Sequence, residues 1–364
     1  MKILHVINSL DTAGAERLVC DLAPRMNRDG NTAAVATLDA AETPFRAGLR
    51  AAGVDVRPLL PRGGSIYSPR CVASLIPELK NADIVHAHLF PTQYWAALAR
   101  LISRTPARFV TTEHSTYNKR CNHRLTSWLD RLVYEKYDAI ACISPAVVSF
   151  MKTRAPHNTR IRLITNGIDV QRFRSARGSR SKLLPDISSE AFVLMQVGRF
   201  TPEKNHDCTL LALAALPEHF HVVFVGSGPL MERCRARAAE LGVTRRAHFL
   251  GQRTDVPELL SVCDAAVLPS RWEGFGLAAA EAMAAGKPVF ASRVEGLAQV
   301  VADERLLFDA GKSDDLVKKI LTLCRNSGMT AELGQLCSRR AERFDISHTA
   351  EAYLELYREV IKES

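Results

Sequence analysis

The sequence predicts an α/β protein made of two doubly wound domains, each built on a parallel sheet. Short apolar, β-prone runs alternate with helix-like segments from end to end, which is typical of parallel strands joined by right-handed crossovers. The chain of 364 residues is longer than one typical domain. Thirteen predicted strands are also too many for one open sheet, so we expect two Rossmann-like domains.

The predicted strands fall into two sets, separated by a polar stretch. Residues 171–190 are basic and poor in periodicity, so we interpret them as a linker between domains 1–170 and 191–346. A further helix is predicted over 347–364. The predicted strands are 3–7, 33–37, 54–58, 84–88, 109–114, 139–144 and 161–165, then 192–198, 221–226, 247–251, 265–270, 288–292 and 306–309.

The charge of the chain is concentrated in its first half. Residues 1–180 hold 26 Lys and Arg against 14 Asp and Glu, a net charge of +12, and the remainder holds 22 against 25, a net charge of −3. A basic half is compatible with a pyrophosphate-bearing substrate, with an anionic membrane surface, or with a merely soluble surface. No nucleic-acid recognition signature accompanies the charge, so we expect no nucleic-acid partner.

Cysteine usage and hydropathy predict a cytoplasmic protein. The nine cysteines are scattered without a C-x-x-C pair, which indicates reduced thiols rather than a disulfide or zinc framework. The first apolar stretch, Met1–Asn8, is too short for a signal peptide and is interpreted as a core strand. No run of about 18 apolar residues occurs, so we expect no transmembrane helix, with the inner membrane face as an alternative location.

The most informative segment contains two glutamates, Glu273 and Glu281, after a predicted buried strand. Gly274 and Gly276 allow backbone amides to approach a ligand, and a strongly helix-forming run follows. A strand, a glycine turn and a helix N-terminus together form an anion site. The two carboxylates are suited to different parts of one elongated, hydroxyl-rich ligand.

A second motif, Val197-Gly-Arg-Phe-Thr-Pro-Glu-Lys-Asn205, also ends a strand and opens a helix. Together the two segments resemble the signature of glycosyltransferase family 4, the group 1 retaining transferases that use nucleotide sugars. The resemblance implies a GT-B fold, with two Rossmann-like domains facing across a cleft. It also implies an acceptor-binding first domain, a donor-binding second domain, and a C-terminal helix (347–364) that packs back on the first.

The resemblance implies roles for residues in the second domain. Arg199 and Lys204 match the pair that clamps the donor diphosphate, where fixed cations stabilise charge on the leaving group. Glu281 matches the residue that binds the ribose hydroxyls, and Glu273 matches the one that meets hydroxyls of the transferred sugar. The amides implied to meet sugar or phosphate oxygens are those of Phe275, Gly276 and Leu277.

Three further positions carry weaker signals. Gly226 begins a strand–helix turn that lies beside the donor in the family, although a plain turn remains an equal alternative; Met231 in place of a third glycine argues against a nicotinamide site. Gly14 belongs to a loop similar to the family's Gly-Gly-x-Glu, with Ala13 at the first glycine. His114 matches the family histidine that contacts the donor sugar and stabilises the transition state.

We expect neither a metal nor a cofactor besides the nucleotide sugar. His86 and His88 alternate along a strand and share a face, but without a visible third ligand we interpret them as core or cleft-lining residues. No Asp-x-Asp motif stands near a predicted strand end. Gln299 replaces the final acid of the family's Gly-Gly-x-x-Glu, which affects the expected sugar preference.

The amphipathic segment 119–136 has two interpretations: a helix on an anionic bilayer, or a helix with its apolar stripe buried in the core.

The function expected from the resemblance is transfer from a nucleotide diphosphate sugar, with a UDP-sugar favoured, to a glycan or lipid-linked acceptor in cell-surface polysaccharide synthesis. The alternatives are a nucleotide-sugar epimerase or hydrolase of the same fold, and a non-catalytic sugar-binding relative.

Overall fold

A computed structural model gives the structure of residues 1–11, 14–115, 124–158, 160–325 and 328–362. The chain divides into two compact units. Unit 1 comprises Met1–Gly167 and Ile346–Ser364, and unit 2 comprises Ile168–Asp345. Each unit contains one sheet of parallel strands, so the predicted α/β class with two doubly wound sheets is confirmed.

All thirteen predicted strands are present, and the central ones are apolar runs with parallel neighbours on both sides. The strands of unit 1 are β1 (Lys2–Ile7), β2 (Thr32–Thr37), β3 (Asp55–Pro58), β4 (Ile84–His88), β5 (Arg108–Glu113), β6 (Ala139–Cys142) and β7 (Ile161–Leu163). Those of unit 2 are β8 (Phe192–Val197), β9 (Phe220–Val225), β10 (Ala247–Phe249), β11 (Ala265–Leu268), β12 (Val289–Ser292) and β13 (Leu307–Phe308).

Helices connect these strands throughout. In chain order they are α1 (Gly14–Met26), α2 (Pro44–Ala51), α3 (Arg70–Leu79), α4 (Thr92–Ser103), α5 (Arg124–Tyr134), α6 (Pro145–Arg154), α7 (Val170–Ser175), α8 (Arg180–Leu183), α9 (His206–Ala215), α10 (Met231–Glu240), α11 (Val256–Val262), α12 (Leu277–Ala284), α13 (Leu297–Val301), α14 (Ser313–Cys324), α15 (Met329–Ala341) and α16 (Ile346–Lys362).

Side-chain caps explain where several helices begin. Ser144 and Thr43 each adopt extended backbone, accept a hydrogen bond from an amide three residues on, and stand before a proline that suits the first helical position.

The sheet of unit 1 has the order β3-β2-β1-β4-β5-β6-β7. The direction of winding therefore reverses between β1 and β4, which pair directly with each other. Every residue of β4 is buried, as expected for a central strand covered on both faces.

The last helix of the chain, α16, completes the core of unit 1. Its apolar side chains, including Ile346 and Val360, pack with Leu18 and Leu22 of α1. Two buried tyrosines add polar anchors: the Tyr357 hydroxyl lies 2.6 Å from His86 Nδ1, and the Tyr353 hydroxyl lies 2.8 Å from Thr112 Oγ1. The core of unit 1 thus depends on residues that lie after the whole of unit 2.

The sheet of unit 2 has the order β10-β9-β8-β11-β12-β13. Winding reverses between β8 and β11, which pair with each other in parallel. In each unit, therefore, the first strand pairs with the strand at which the direction of winding reverses. This is the arrangement of a doubly wound fold.

The predicted linker 171–190 contains helical structure and belongs to unit 2. It contains most of α7 and all of α8. Asp169 starts α7 by accepting a hydrogen bond from the amide of Arg172 at 2.9 Å, and Val170 and Phe173 are buried. The sequence missed α7 because two apolar residues in a basic stretch give almost no periodicity.

No helix within the described residues is long and apolar enough to cross a membrane. The eight cysteines among the described residues are all free thiols.

Replacing Gly167 should destabilise unit 1, since an alanine Cβ there would lie 2.5 Å from Thr349 Oγ1 and 2.7 Å from Ile346 Cα. We expect Gly167→Ala to lower the free energy of unfolding by about 1–3 kcal/mol, measured by urea denaturation. Gly48→Ala is the matched control, because Gly48 is exposed within α2 and its Cβ would meet nothing within 4 Å. That change should stabilise the protein by about 0.5–1 kcal/mol. Equal effects of both changes would contradict the steric explanation.

Candidate functional site

The predicted donor residues collect at the reversal point of unit 2. In open α/β sheets, ligands bind outside the carboxyl ends of the strands where the winding reverses. Arg199 and Lys204 follow β8, and Glu273 follows β11, the two strands that flank this point. The fold therefore brings together residues that are about seventy positions apart in the chain.

The loop after β8 fixes the backbone of Lys204. Gln196, buried in β8, donates its Nε2 to the Lys204 carbonyl at 3.0 Å and accepts a hydrogen bond from Thr209 Oγ1 at 2.7 Å. Asn205 adopts a left-handed conformation with φ of 49° and ends the turn before α9. These contacts direct the Lys204 side chain towards the loop that follows β11.

Lys204 and Glu273 form an ion pair across the reversal point. Lys204 Nζ lies 2.5 Å from Glu273 Oε2, and Ser270 Oγ lies 3.4 Å from the same oxygen. The two side chains remain 24% and 17% exposed, so a ligand can still reach them. A charge-assisted contact of this kind holds both groups in one geometry. The Lys204 ammonium can then also interact with an anion that binds next to it.

The N-terminus of α12 offers backbone groups. Gly276 has φ of 96°, and a Cβ on it would lie 2.5 Å from Leu297 Cδ2. The Phe275 side chain is buried and packs edge-on against Phe344, with ring centroids 5.3 Å apart. At Phe275 and Gly276, therefore, the groups available to a ligand are backbone amides. Leu277 is the first residue of α12, and the half-buried Glu281 lies one turn further on.

The loop at Gly226 packs directly on the Arg199 loop. A Cβ on Gly226, where φ is 138°, would lie 2.1 Å from the carbonyl oxygen of Gly198. The amide of Phe200 donates to the carbonyl of Ser227 at 3.0 Å, and the amide of Leu230 donates to that of Phe200 at 3.0 Å. Gly226 therefore has a structural reason to be glycine, and its loop supports the shape of the Arg199 loop.

Two exposed side chains border this site. Arg199 is exposed after β8, and Trp272, next to Glu273, is 60% exposed. The only signal for Trp272 in the sequence is its place inside the two-glutamate segment. An exposed indole offers a flat apolar face with a polar N–H.

In unit 1, Gly14 is exposed and begins α1 beside the reversal point between β1 and β4. Ala13, at which the family pattern departs, lies outside the described residues, so its effect on the loop stays a prediction.

His114 follows β5, and the preceding residue shapes its backbone. The Glu113 carboxylate accepts hydrogen bonds from the amides of His114 at 3.1 Å and Ser115 at 3.3 Å, and from the Tyr134 hydroxyl at 2.6 Å. The His114 side chain is partly exposed, yet its Nε2 is buried and has no partner among the described residues. Burial lowers the pKa of His114 to about 4, so its ring is neutral at pH 7. The sequence alone gives no role to Glu113, because the anchoring of backbone amides has no sequence signature.

Three fully buried histidines lie at the reversal point of unit 1. The β1–β4 register pairs His5 with His86, and His88 follows two residues later on the same face. One ring nitrogen from each lies within 4.8 Å of the other two. Burial lowers the pKa of His5 to about 4 and those of His86 and His88 well below the usual range. The sequence showed no third imidazole because His5 joins the pair only once β1 is placed beside β4.

The segment at Gln299 supports the donor loop. Gly296, with φ of 86°, leaves room for the Glu273 carbonyl, which would lie 2.5 Å from an added Cβ. Gln299 is exposed in α13, and its carbonyl accepts a hydrogen bond from Arg340 at 2.7 Å.

Two family models match the chain, one over most of its first half and one over most of its second half. Residues 12–172 match the model described as Glycosyltransferase Family 4, and residues 185–342 match the one described as Glycosyl transferases group 1. The two matches together span most of the sequence.

Similar proteins include several curated glycosyltransferases. The D-inositol 3-phosphate glycosyltransferase of Salinispora tropica is 33% identical over 227 residues, covering 56% of this chain and 47% of that protein. The UDP-Gal:alpha-D-GlcNAc-diphosphoundecaprenol alpha-1,3-galactosyltransferase of Escherichia coli is 30% identical over 264 residues, covering 66% of this chain and 65% of that protein. The chain spans about half the length of the D-inositol 3-phosphate glycosyltransferases that it matches.

Among solved structures, Anabaena HepE in complex with UDP-glucose matches with a TM-score of 0.86 at 23% identity, over 99% of this chain and 100% of that chain. WaaG, a glycosyltransferase involved in lipopolysaccharide biosynthesis, matches with a TM-score of 0.74 at 18% identity, over 98% and 99% of the two chains. At these identities the likeness shows a shared fold.

The contact between the Gly226 and Gly198 loops predicts a loss of site geometry in Gly226→Ala, because the new Cβ would force the loops apart. We expect weaker nucleotide binding by isothermal titration calorimetry and a lower melting temperature. Gly251→Ala is the control: Gly251 also has positive φ, at 68°, but open space around it. It should show only the backbone penalty of about 1–2 kcal/mol and normal binding. Normal binding by both variants would contradict the proposed coupling of the two loops.

Proposed function

We propose a specific transfer reaction for this chain, which belongs to the group 1 glycosyltransferases of family 4 and has the GT-B fold. The proposed reaction moves a sugar from a nucleotide diphosphate sugar to a glycan or lipid-linked acceptor, with retention of anomeric configuration and without a metal ion. A role in cell-surface polysaccharide synthesis is part of this proposal. The single observation that carries it is the Lys204–Glu273 pair at the reversal point of unit 2.

The pair is suited to both ends of a sugar–phosphate bond. Lys204 supplies a point charge for the diphosphate, and the exposed Arg199 supplies a planar fork for the same group. Glu273 accepts hydrogen bonds from sugar hydroxyls, while its contact with Lys204 keeps the ammonium in position. The amides at the start of α12 add donors for phosphate or sugar oxygens, and Glu281 is proposed to bind the ribose.

The proposed chemistry needs no protein nucleophile. The bond from the sugar's anomeric carbon to the diphosphate oxygen breaks, and a bond to the acceptor oxygen forms on the same face. The acceptor's proton passes to the leaving phosphate, and Arg199 and Lys204 stabilise the negative charge that develops there. His114 is proposed as the catalytic residue of unit 1, where its neutral ring hydrogen-bonds the donor sugar.

A UDP-sugar is the favoured donor. Solved structures of HepE contain UDP or UDP-glucose, and the Escherichia coli relative is named for its use of UDP-Gal. That relative is also named for a diphosphoundecaprenol-linked acceptor, which supports a lipid-linked acceptor for this chain.

Two other classes of function are alternatives that one experiment can distinguish from the proposed transfer. A nucleotide-sugar epimerase or hydrolase would convert the donor with no acceptor present. A non-catalytic sugar-binding relative would bind the nucleotide without converting it. Incubating the protein with a UDP-sugar alone, and then with acceptor extracts, separates the three.

Binding of UDP should stabilise the protein and depend on the proposed donor residues. At 100 times its dissociation constant, UDP should add about 2.7 kcal/mol to the free energy of unfolding, seen as a rise in melting temperature. Arg199→Ala, Lys204→Ala and Glu281→Ala should each reduce that rise. Arg233→Ala removes the same charge from an exposed position on α10 and should leave it intact. The donor site is wrong if Arg233→Ala weakens the effect as much as the site variants do, or if no nucleoside diphosphate stabilises the protein.

The stereochemistry of the product tests the proposed mechanism. We expect the α-configured donor to give an α-linked product, identified by the proton coupling constant at the anomeric carbon. Activity should persist in EDTA, and His114→Ala should lower kcat about a hundredfold or more. An inverted product, or activity restored only by a divalent cation, would refute this part of the proposal.

Unit 1 also presents a surface suited to an anionic membrane, which we call the α4–α5 face. The helices contact each other where the Tyr94 hydroxyl donates to Asp130. Several of their larger apolar side chains are exposed, while Tyr134 of α5 is buried. The face consists of Leu98, Leu101, Ile102, Trp128, Leu129 and Leu132, which are 36–58% exposed.

Basic groups adjoin the α4–α5 face. A shallow cavity of about 460 Å³ is lined by Leu101 of that face together with three basic residues and two acidic ones, which are Arg100, Arg104, Lys136, Glu135 and Asp138. Exposed apolar side chains with a tryptophan, next to cations, match the chemistry of an anionic lipid surface. The part of the predicted membrane segment over 119–123 lies outside the described residues.

Vesicle sedimentation should reveal binding through the α4–α5 face. We expect binding to vesicles with anionic phospholipid and little binding to neutral ones, with loss on changing Leu101, Ile102 and Trp128 to Gln. Leu336→Gln is the control, since Leu336 is also an exposed leucine (36%) but lies on unit 2. Equal binding to neutral vesicles, or no binding at all, would remove the membrane part of the proposal.

A further inference from the structure

The buried histidines of unit 1 have no part in the reaction proposed above. They are fully buried, and one of them lies near His114, since the ring centroids of His88 and His114 are 6.4 Å apart. Their hydrogen-bond partners allow the position of each proton to be assigned by donor and acceptor counting.

The chain of contacts begins at Met26. His5 Nε2 lies 3.4 Å from Met26 Sδ, and both side chains are fully buried. A thioether sulfur can accept a hydrogen bond but has no proton to donate. The contact is therefore a hydrogen bond only when His5 carries its proton on Nε2, which leaves a lone pair on His5 Nδ1.

The next contact passes this orientation to His88. His5 Nδ1 lies 3.1 Å from His88 Nε2, so the lone pair on His5 requires that His88 donate from Nε2. A neutral His88 then has a lone pair on Nδ1. The opposite arrangement leaves His5 Nε2 without a hydrogen bond to sulfur and buries an unpaired N–H on His88, which is the costlier outcome.

The two ends of this arrangement lack partners. His88 Nδ1 and His114 Nε2 are both buried without a hydrogen-bond partner among the described residues. Buried polar atoms are nearly always satisfied, by protein or by ordered water. With the ring centroids 6.4 Å apart, the two nitrogens lie too far apart for a direct hydrogen bond. One water molecule between them would satisfy both.

A metal ion fits this cluster less well. His86 uses both ring nitrogens, at 2.6 Å from the Tyr357 hydroxyl and 2.8 Å from Thr112 Oγ1. The group of His5, His86 and His88 includes no carboxylate or thiolate, so a divalent ion would place an uncompensated charge in a fully buried site.

We propose that His88 is a positioning residue for His114. One water donates to His88 Nδ1 and accepts the proton of His114 Nε2, so all donors in the chain point towards Met26. His114 then presents a lone pair on Nδ1, which accepts a hydrogen bond from a hydroxyl group of the substrate. Such head-to-tail hydrogen bonds strengthen one another. The activity part of this inference rests on the proposed function, whereas the proton positions do not.

Nitrogen NMR of the full chain with ¹⁵N-labelled histidine tests the proton positions directly. We expect His5, His88 and His114 each to carry the proton on Nε2, with signals assigned by single substitutions. Met26→Leu keeps the volume but removes the acceptor, and it should shift the His5 and His88 signals and leave His86 unchanged. A proton on Nδ1 of His88 or His114 overturns the proposal, as does a stoichiometric metal bound to the purified protein.

Kinetics test the positioning role. His88→Leu removes the lone pair at similar volume and should lower kcat about tenfold to a hundredfold with KM little changed. His88→Asn, whose amide oxygen can replace Nδ1, should recover much of the rate. His86→Leu is the matched control: it cuts the bonds to Tyr357 and Thr112 and lowers stability, but kcat measured well below its melting temperature should stay near the starting value.

The two kinds of failure are distinguishable. If no transferase activity is found, the effect of His88→Leu on the His114 nitrogen signals still tests the bridge, and unchanged signals refute it. If activity is present and His86→Leu lowers kcat as much as His88→Leu, the effect is structural and the positioning role is wrong.

Discussion

The reversal of winding beside the first strand is the constraint on which the rest of each unit depends. Because β1 pairs with β4 and β8 pairs with β11, the connections on either side leave the sheet in opposite directions. Loops from distant parts of the sequence therefore meet at the carboxyl ends of these strands. The Lys204–Glu273 pair in unit 2 and the histidine cluster in unit 1 both follow from that single topological feature.

The two reversal points differ in charge. Unit 2 holds charged groups that remain partly exposed, with Lys204 paired to a carboxylate that a ligand can share. Unit 1 holds imidazoles whose burial disfavours the second proton, so that each is neutral at pH 7. Charge at an accessible site attracts and orients an anion, whereas neutral groups in a core act through the direction of their hydrogen bonds.

Much of the fold was predictable from the sequence, because a buried parallel strand requires a continuous apolar run and each of the thirteen runs is present. The loops that contain Lys204 and Glu273 could be placed after two of these strands, whereas the roles of the two residues came from the family resemblance and stay proposals. The third histidine, His5, required the pairing of β1 with β4, which no local pattern contains. The role of Glu113 was not predictable, because the anchoring of backbone amides has no sequence pattern. Helix α7 was not predictable, because a helix of six residues shows little periodicity.

The placement of α16 has a consequence for how the protein forms during synthesis. Unit 1 needs Tyr353, Tyr357 and their apolar neighbours to close its core, yet the ribosome adds them after all of unit 2. Unit 2 is continuous in sequence and can reach its native state while still attached to the ribosome. In the first half of the chain, β4 and α1 stay uncovered until α16 has been synthesised. Unit 1 therefore completes its folding after unit 2, although most of its residues are translated first.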